Sequence, residues 1–152
     1  MKHSLIIGLI LFFISGNIFG QYLKEQECAT LSSLSSVEDL PELETFLEAR
    51  GFLKVKEEHN KYIFYNWKKT DGFYYGVRIN KNSRQVTYLT NDQKYVLRML
   101  SRFMVDYSNI KSEKQGENKT LHIFESKTST IAVMLDTSKD SETHLLYAVN
   151  KS

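Results

Sequence analysis

Residues 62–80 read YIFYNWKKTDGFYYGVRIN, two alternating runs on either side of an Asp-Gly pair. Ile63, Tyr65 and Trp67 alternate with Tyr62, Phe64, Asn66 and Lys68. After Thr70-Asp71-Gly72, a second alternation sets Phe73, Tyr75, Val77 and Ile79 against Tyr74, Gly76, Arg78 and Asn80. A period of two in aromatic and β-branched residues turns one set of side chains to each face of a strand. The Asp-Gly between the two runs favours the tight turn of an antiparallel hairpin. Residues 53–57 and 85–89 are expected to flank it as further strands, with hinges at His59-Asn60 and Lys81-Asn82-Ser83.

Upstream, Asp39, Pro41 and Glu42 mark a helix start, and Leu40, Leu43, Phe46 and Leu47 form its apolar stripe. Gly51 lies where the chain must turn left-handed, which brings Phe52 back towards Leu47. Downstream, Thr90 and Gln93 spell a capping box, and Val96, Leu100, Phe103, Tyr107 and Ile110 recur at helical spacing. That stripe predicts a helix of about 20 residues, about 30 Å long. A polar loop over 111–119 and three strands over 121–126, 130–136 and 144–150 complete the chain.

The expected fold class is α+β: an antiparallel β-sheet with two helices packed on one face. Residues 37–152 form the domain, after a polar stretch over 21–36 that reads as a short helix or an arm. Helix-then-strands occurs twice, which raises a tandem α-β-β-β duplication with halves 37–90 and 91–152. A shift of 58 residues pairs Asn60-Lys61 with Asn118-Lys119, Lys69-Thr70 with Lys127-Thr128, and Lys81 with Lys139. The same shift places Ile63 and Tyr65 on Leu121 and Ile123, predicting those two as core-facing. This layout is similar to the tandem helix-plus-sheet units of small exported inhibitors such as the β-lactamase inhibitor family. The resemblance is one of architecture and brings no site residue with it.

Composition narrows the function classes. The chain has 152 residues, 20 of them basic and 18 acidic, and 41% are hydrophobic. That balance argues against nucleic-acid binding, which needs a clear positive surplus, and against charge-driven disorder. The start has the order of an export signal: Lys2 and His3, an apolar run over 5–14, then Ser15-Gly16-Asn17-Ile18-Phe19-Gly20. Cleavage after Gly20 is expected, giving a periplasmic or extracellular protein with no stable membrane insertion. The apolar run is too short for a spanning helix, and nothing after it approaches that length. Cys28 is the one cysteine, so no internal disulfide framework or cysteine-based zinc site is expected.

Catalytic signals are sparse. After the signal the histidines are His59, His122 and His144, without metal-binding spacing. Four glycines, Gly51, Gly72, Gly76 and Gly116, match neither a phosphate loop nor a nucleophile elbow. No cofactor or metal is expected. The sheet face opposite the helices carries more information, because it mixes aromatics, Met and Arg where charged residues and Thr are usual. Its candidate binding residues are Tyr62, Phe64, Tyr74, Arg78, His122, Phe124 and Met134. The first expectation is a non-catalytic protein-binding module of inhibitor or immunity type; the N-terminal arm, a dimer partner or curvature of the sheet are the competing covers for that face. A small-ligand or lipid carrier would instead line a pocket with Met99, Phe103 and Met104, and a small hydrolase would use His122 or His144.

Overall fold

A computed structural model describes residues 23–36, 40–70, 72–138 and 143–150. The expected export signal over 1–20 and the helix cap expected at Asp39 lie outside them. The alternating stretches form strands, and their register sorts every side chain to one of two faces.

Helices α1 (Glu25–Ser36) and α2 (Leu40–Glu48) come first, followed by β1 (Phe52–Lys54), β2 (Tyr62–Thr70), β3 (Phe73–Asn80) and β4 (Val86–Thr90). Helix α3 (Gln93–Asp106) leads into β5 (Ser108–Lys114), β6 (Lys119–Glu125), β7 (Ser129–Asp136) and β8 (His144–Asn150). All eight strands join one antiparallel sheet, a mixed α+β architecture, in the order β1-β2-β3-β4-β8-β7-β6-β5. Two four-stranded meanders therefore meet at β4 and β8.

The buried side chains run in register across the sheet. One row is Tyr65, Val77, Tyr88, Leu146 and Val133; the next is Ile79, Val86, Ala148, Ile131 and Phe124. Tyr95 of α3 packs edge-on against Tyr75 and Tyr88, with centroids 6.2 and 5.9 Å apart. Phe103 of the same helix meets Phe124 at 5.6 Å. Cys28 and Leu31 of α1 and Leu43 and Leu47 of α2 belong to the same buried cluster.

Polar groups tie the helices in place. The Tyr95 hydroxyl donates to the Leu23 carbonyl at 2.7 Å, fixing the entry to α1. Glu27 on α1 accepts from Arg50 Nε and Nη2 at 2.9 and 2.6 Å, and the guanidinium lies 3.8 Å from the Phe46 ring. The Tyr65 hydroxyl donates to Glu44 at 2.8 Å, and Lys54 pairs with the same carboxylate at 2.5 Å. Gly51 has φ +80° and meets Trp67 closely enough that a Cβ would stand 3.0 Å from its Nε1.

Three helices form among the described residues where two were expected, because residues 25–36 form α1 and bury Cys28 and Leu31, and three further expectations change. The cap of α3 is Asp92, not Thr90: Asp92 accepts from the Tyr95 N–H and from the Tyr75 hydroxyl, both at 2.9 Å. A carboxylate suits the positive helix end, and Thr90 instead accepts the Asp92 N–H at 3.0 Å. Helix α3 stops at Asp106, about 21 Å long at 1.5 Å per residue, and Tyr107 is already extended. Residues 108–114, expected as helix end and loop, pair with β6 as an edge strand. The third change is the phase of β6. Phe124 is fully buried and registers with buried Ile131, so Leu121 and Ile123 belong to the other face. A one-residue change of phase exchanges the faces of a whole strand.

Candidate functional site: the second sheet face

The side chains opposite the buried rows also line up. One row crosses all eight strands: Leu53, Asn66, Gly76, Leu89, Leu145, Met134, Leu121 and Glu113. The next holds Phe64, Arg78, Thr87, Tyr147, Ala132, Ile123 and Lys111. Directly opposed side chains in antiparallel strands lie about 4.5–5.5 Å apart at Cβ, so each row is a continuous surface. Leu89, Leu145, Met134, Leu121, Tyr147, Ala132 and Ile123 are all half-buried. The middle of this face is thus apolar, and its far edge carries the Lys111–Glu113 ion pair at 2.5 Å.

Polar and aromatic groups gather at the β2–β3 end. The Arg78 guanidinium carbon lies 5.0 Å from the Tyr62 ring centroid. Tyr62 and Phe64 are 5.9 Å apart, and His59 packs 5.5 Å from each. His59 Nδ1 accepts the N–H groups of Lys61 and Tyr62, both at 3.2 Å, which holds the turn beneath these rings. Tyr147 adjoins Arg78; burial raises its phenol above the usual range, and the arginine charge pulls the other way. Arg78 Nε is enclosed without a hydrogen-bond acceptor among the described residues.

The candidate residues divide between the two faces. Tyr62, Phe64, Arg78 and Met134 share this face with Tyr74, whose hydroxyl hydrogen-bonds Thr143. The Tyr74 N–H also donates to Asn91 at 2.8 Å, locking the hairpin to the start of α3. His122 and Phe124 lie on the opposite face, with Phe124 in the core against Phe103. Leu121, Ile123, Leu89, Leu145 and Tyr147 take their place. The repeat pattern points the first two inward, and the strand over 144–150 gives no clear cue because each of its alternating sets holds apolar residues, Leu146 and Ala148 in one and Leu145 and Tyr147 in the other.

Chemistry elsewhere is limited by burial and missing partners. Ser112 and His122 Nδ1 are 3.0 Å apart across β5 and β6. A serine becomes a nucleophile when its histidine is oriented by a third group. Among the described residues no carboxylate hydrogen-bonds His122, so the contact is a cross-strand polar pair. His144 is fully buried, and its Nδ1 accepts the Asp136 N–H at 3.1 Å. The two histidines sit on strands separated by β7 and do not approach one another through pairing. Burial pushes the Cys28 thiol up to about 12, far from a reactive thiolate. Met99 and Phe103 are core residues, whereas Met104 faces out from α3. No helix among the described residues is long and apolar enough to cross a membrane. No protein-family model matches the chain, nor does any curated protein or solved structure.

Proposed function

We propose that the protein is an exported, non-catalytic binding module of inhibitor or immunity type that docks another protein on the second sheet face. The observation that carries this reading is the pair of register rows. A half-buried apolar stripe through Leu89, Leu145, Met134 and Leu121 runs beside a row holding Phe64, Arg78 and Tyr147. A sheet face left to water normally carries charged residues and Thr, and a contiguous apolar patch with a polar rim is a mark of an interface. Aromatic, Met and Arg side chains are the types enriched there.

In this reading all three helices cover the other face. Their contacts with Tyr65, Tyr75, Tyr88 and Phe124, which share the buried phase, support it. Helix α1 contributes Cys28 and Leu31 to that buried cluster, so residues 25–36 do not cover the docking face. The mirrored order of the two meanders supports reading 37–90 and 91–152 as related halves, whereas the phase of β6 departs from the 58-residue alignment at Leu121 and Ile123.

Site-specific photocross-linking in the source cell tests the proposal. A photoreactive residue at Tyr62 or Leu145 should capture a second protein chain, while the same residue at exposed Leu97 on α3 should not. Capture from Leu97 alone, or from none of these positions, would overturn it.

A further inference from the structure

Among the described residues, the docking face carries a cation without a matching anion. Arg78 stands next to Thr87 on β4, with Phe64 on its other side and Tyr62 5.0 Å from its guanidinium. Among the described residues no carboxylate pairs with it. The other charges in the two rows, Lys111 and Glu113, lie at the opposite edge and neutralise one another. Lys61 adds positive charge on the same side, 5.4 Å from the Tyr62 centroid. The aromatic rings lower the local polarity around Arg78 and restrict its side chain. A restricted guanidinium is a preorganised fork whose geometry matches a carboxylate.

The apolar stripe begins one diagonal step away. Leu89 is two residues along β4 from Thr87, the residue opposite Arg78, a separation of about 7–8 Å in an antiparallel pair. Leu145 and Met134 continue the stripe on the next two strands. We infer that the partner is a protein surface presenting an Asp or Glu side chain to Arg78 and, beside it, an aliphatic or aromatic side chain to Leu89, Leu145 and Met134. This rests on the docking reading above and adds the partner's chemistry. The carboxylate supplies orientation and the apolar residue supplies most of the desolvation energy.

A random twelve-residue peptide display library selected on the purified protein tests the inference. Enriched sequences should place Asp or Glu two to four positions from an aliphatic or aromatic residue. The best peptide, made synthetically, should bind Arg78→Gln about ten-fold or more weakly, and Arg78→Lys to an intermediate degree. It should bind Lys94→Gln, altered on exposed α3, as well as the unchanged protein. Its affinity should fall as salt rises from about 50 to about 500 mM. Leu145→Ser should weaken it too, with melting used to confirm that each variant is folded. Loss with Leu145→Ser but not with Arg78→Gln would keep the docking face and overturn the carboxylate. Indifference to both substitutions would overturn both readings. Enriched sequences without an acidic residue, or no binder at all, would overturn the inference. So would a homodimer in native mass spectrometry that Leu145→Ser dissociates, because a second copy would then be the occupant.

Discussion

The phase of β6 decides which residues form the core and which form the second face, the proposed docking surface, and two neighbouring truncations test it. Phe124 is fully buried, packs 5.6 Å from Phe103 and registers with buried Ile131. Phe124→Ala removes a whole aromatic ring from the junction of α3 and the sheet, and such truncations cost about 3–5 kcal/mol. For a domain of this size, each kcal/mol lowers Tm by about 3–4 °C, so the expected fall is about 10–20 °C. Ile123→Ala, one residue earlier, trims a half-buried side chain on the other face. It should cost less than about 1.5 kcal/mol, or about 5 °C. Melting followed by circular dichroism or calorimetry reads both. A larger loss for Ile123→Ala than for Phe124→Ala would refute the register, and with it the division of the two faces.

Other consequences follow from individual contacts. Gly51→Ala should lower stability by about 1–3 kcal/mol in thermal melts, because it forces a side chain to φ +80° and drives a Cβ to 3.0 Å from Trp67. Native Cys28 should resist an aromatic disulfide reagent at pH 8 and react once the chain is unfolded, because burial pushes its thiol up to about 12. Stability should decline on acidification. Hydrogen bonds from Lys54 and Tyr65 hold the Glu44 carboxyl below its usual range, and bonds from Ser138 do the same for Asp136. A carboxyl lowered by folding contributes stability above its unfolded pKa and loses it as pH falls through the folded one. Denaturant midpoints against pH should therefore fall below about pH 4, with a shallower fall in Glu44→Gln and Asp136→Asn. Glu25 acts in the opposite sense: burial, then the Asp106 carboxylate, raises its pKa, so Glu25→Gln should raise the midpoint at neutral pH.

Much of the fold is legible in residues 62–80 because one face of that hairpin differs enough from the other to fix its phase. Gly51 was equally readable, since a left-handed position after an apolar stripe favours glycine. The second half was harder for a physical reason. Residues 121–124 read Leu-His-Ile-Phe, with an apolar residue on either phase, and the pairing with Ile131 together with the contact with Phe103 selects Phe124 for the core. Tyr107 and Ile110 continue the α3 stripe at helical spacing, yet the chain leaves the helix at Asp106 to pair its backbone with β6. Tertiary pairing outweighs local periodicity at such a position. The residues of the proposed docking face divide likewise. Tyr62, Phe64, Tyr74 and Arg78 were visible in an alternating hairpin, whereas Leu89, Leu145 and Tyr147 join them only once β4 and β8 are known to be neighbours.

Native mass spectrometry reads whether the second face receives a protein. The purified protein is incubated with envelope and culture-fluid proteins from its own source, beside an Ala132→Arg variant. Ala132 lies half-buried between Ile123 and Tyr147, so an arginine there projects from the middle of the face without entering the core. The expected result is a heteromeric complex with the unchanged protein and its loss in the variant, with melting temperatures within a few degrees of one another. A complex of equal abundance with both proteins, or the bare chain with each, would contradict it.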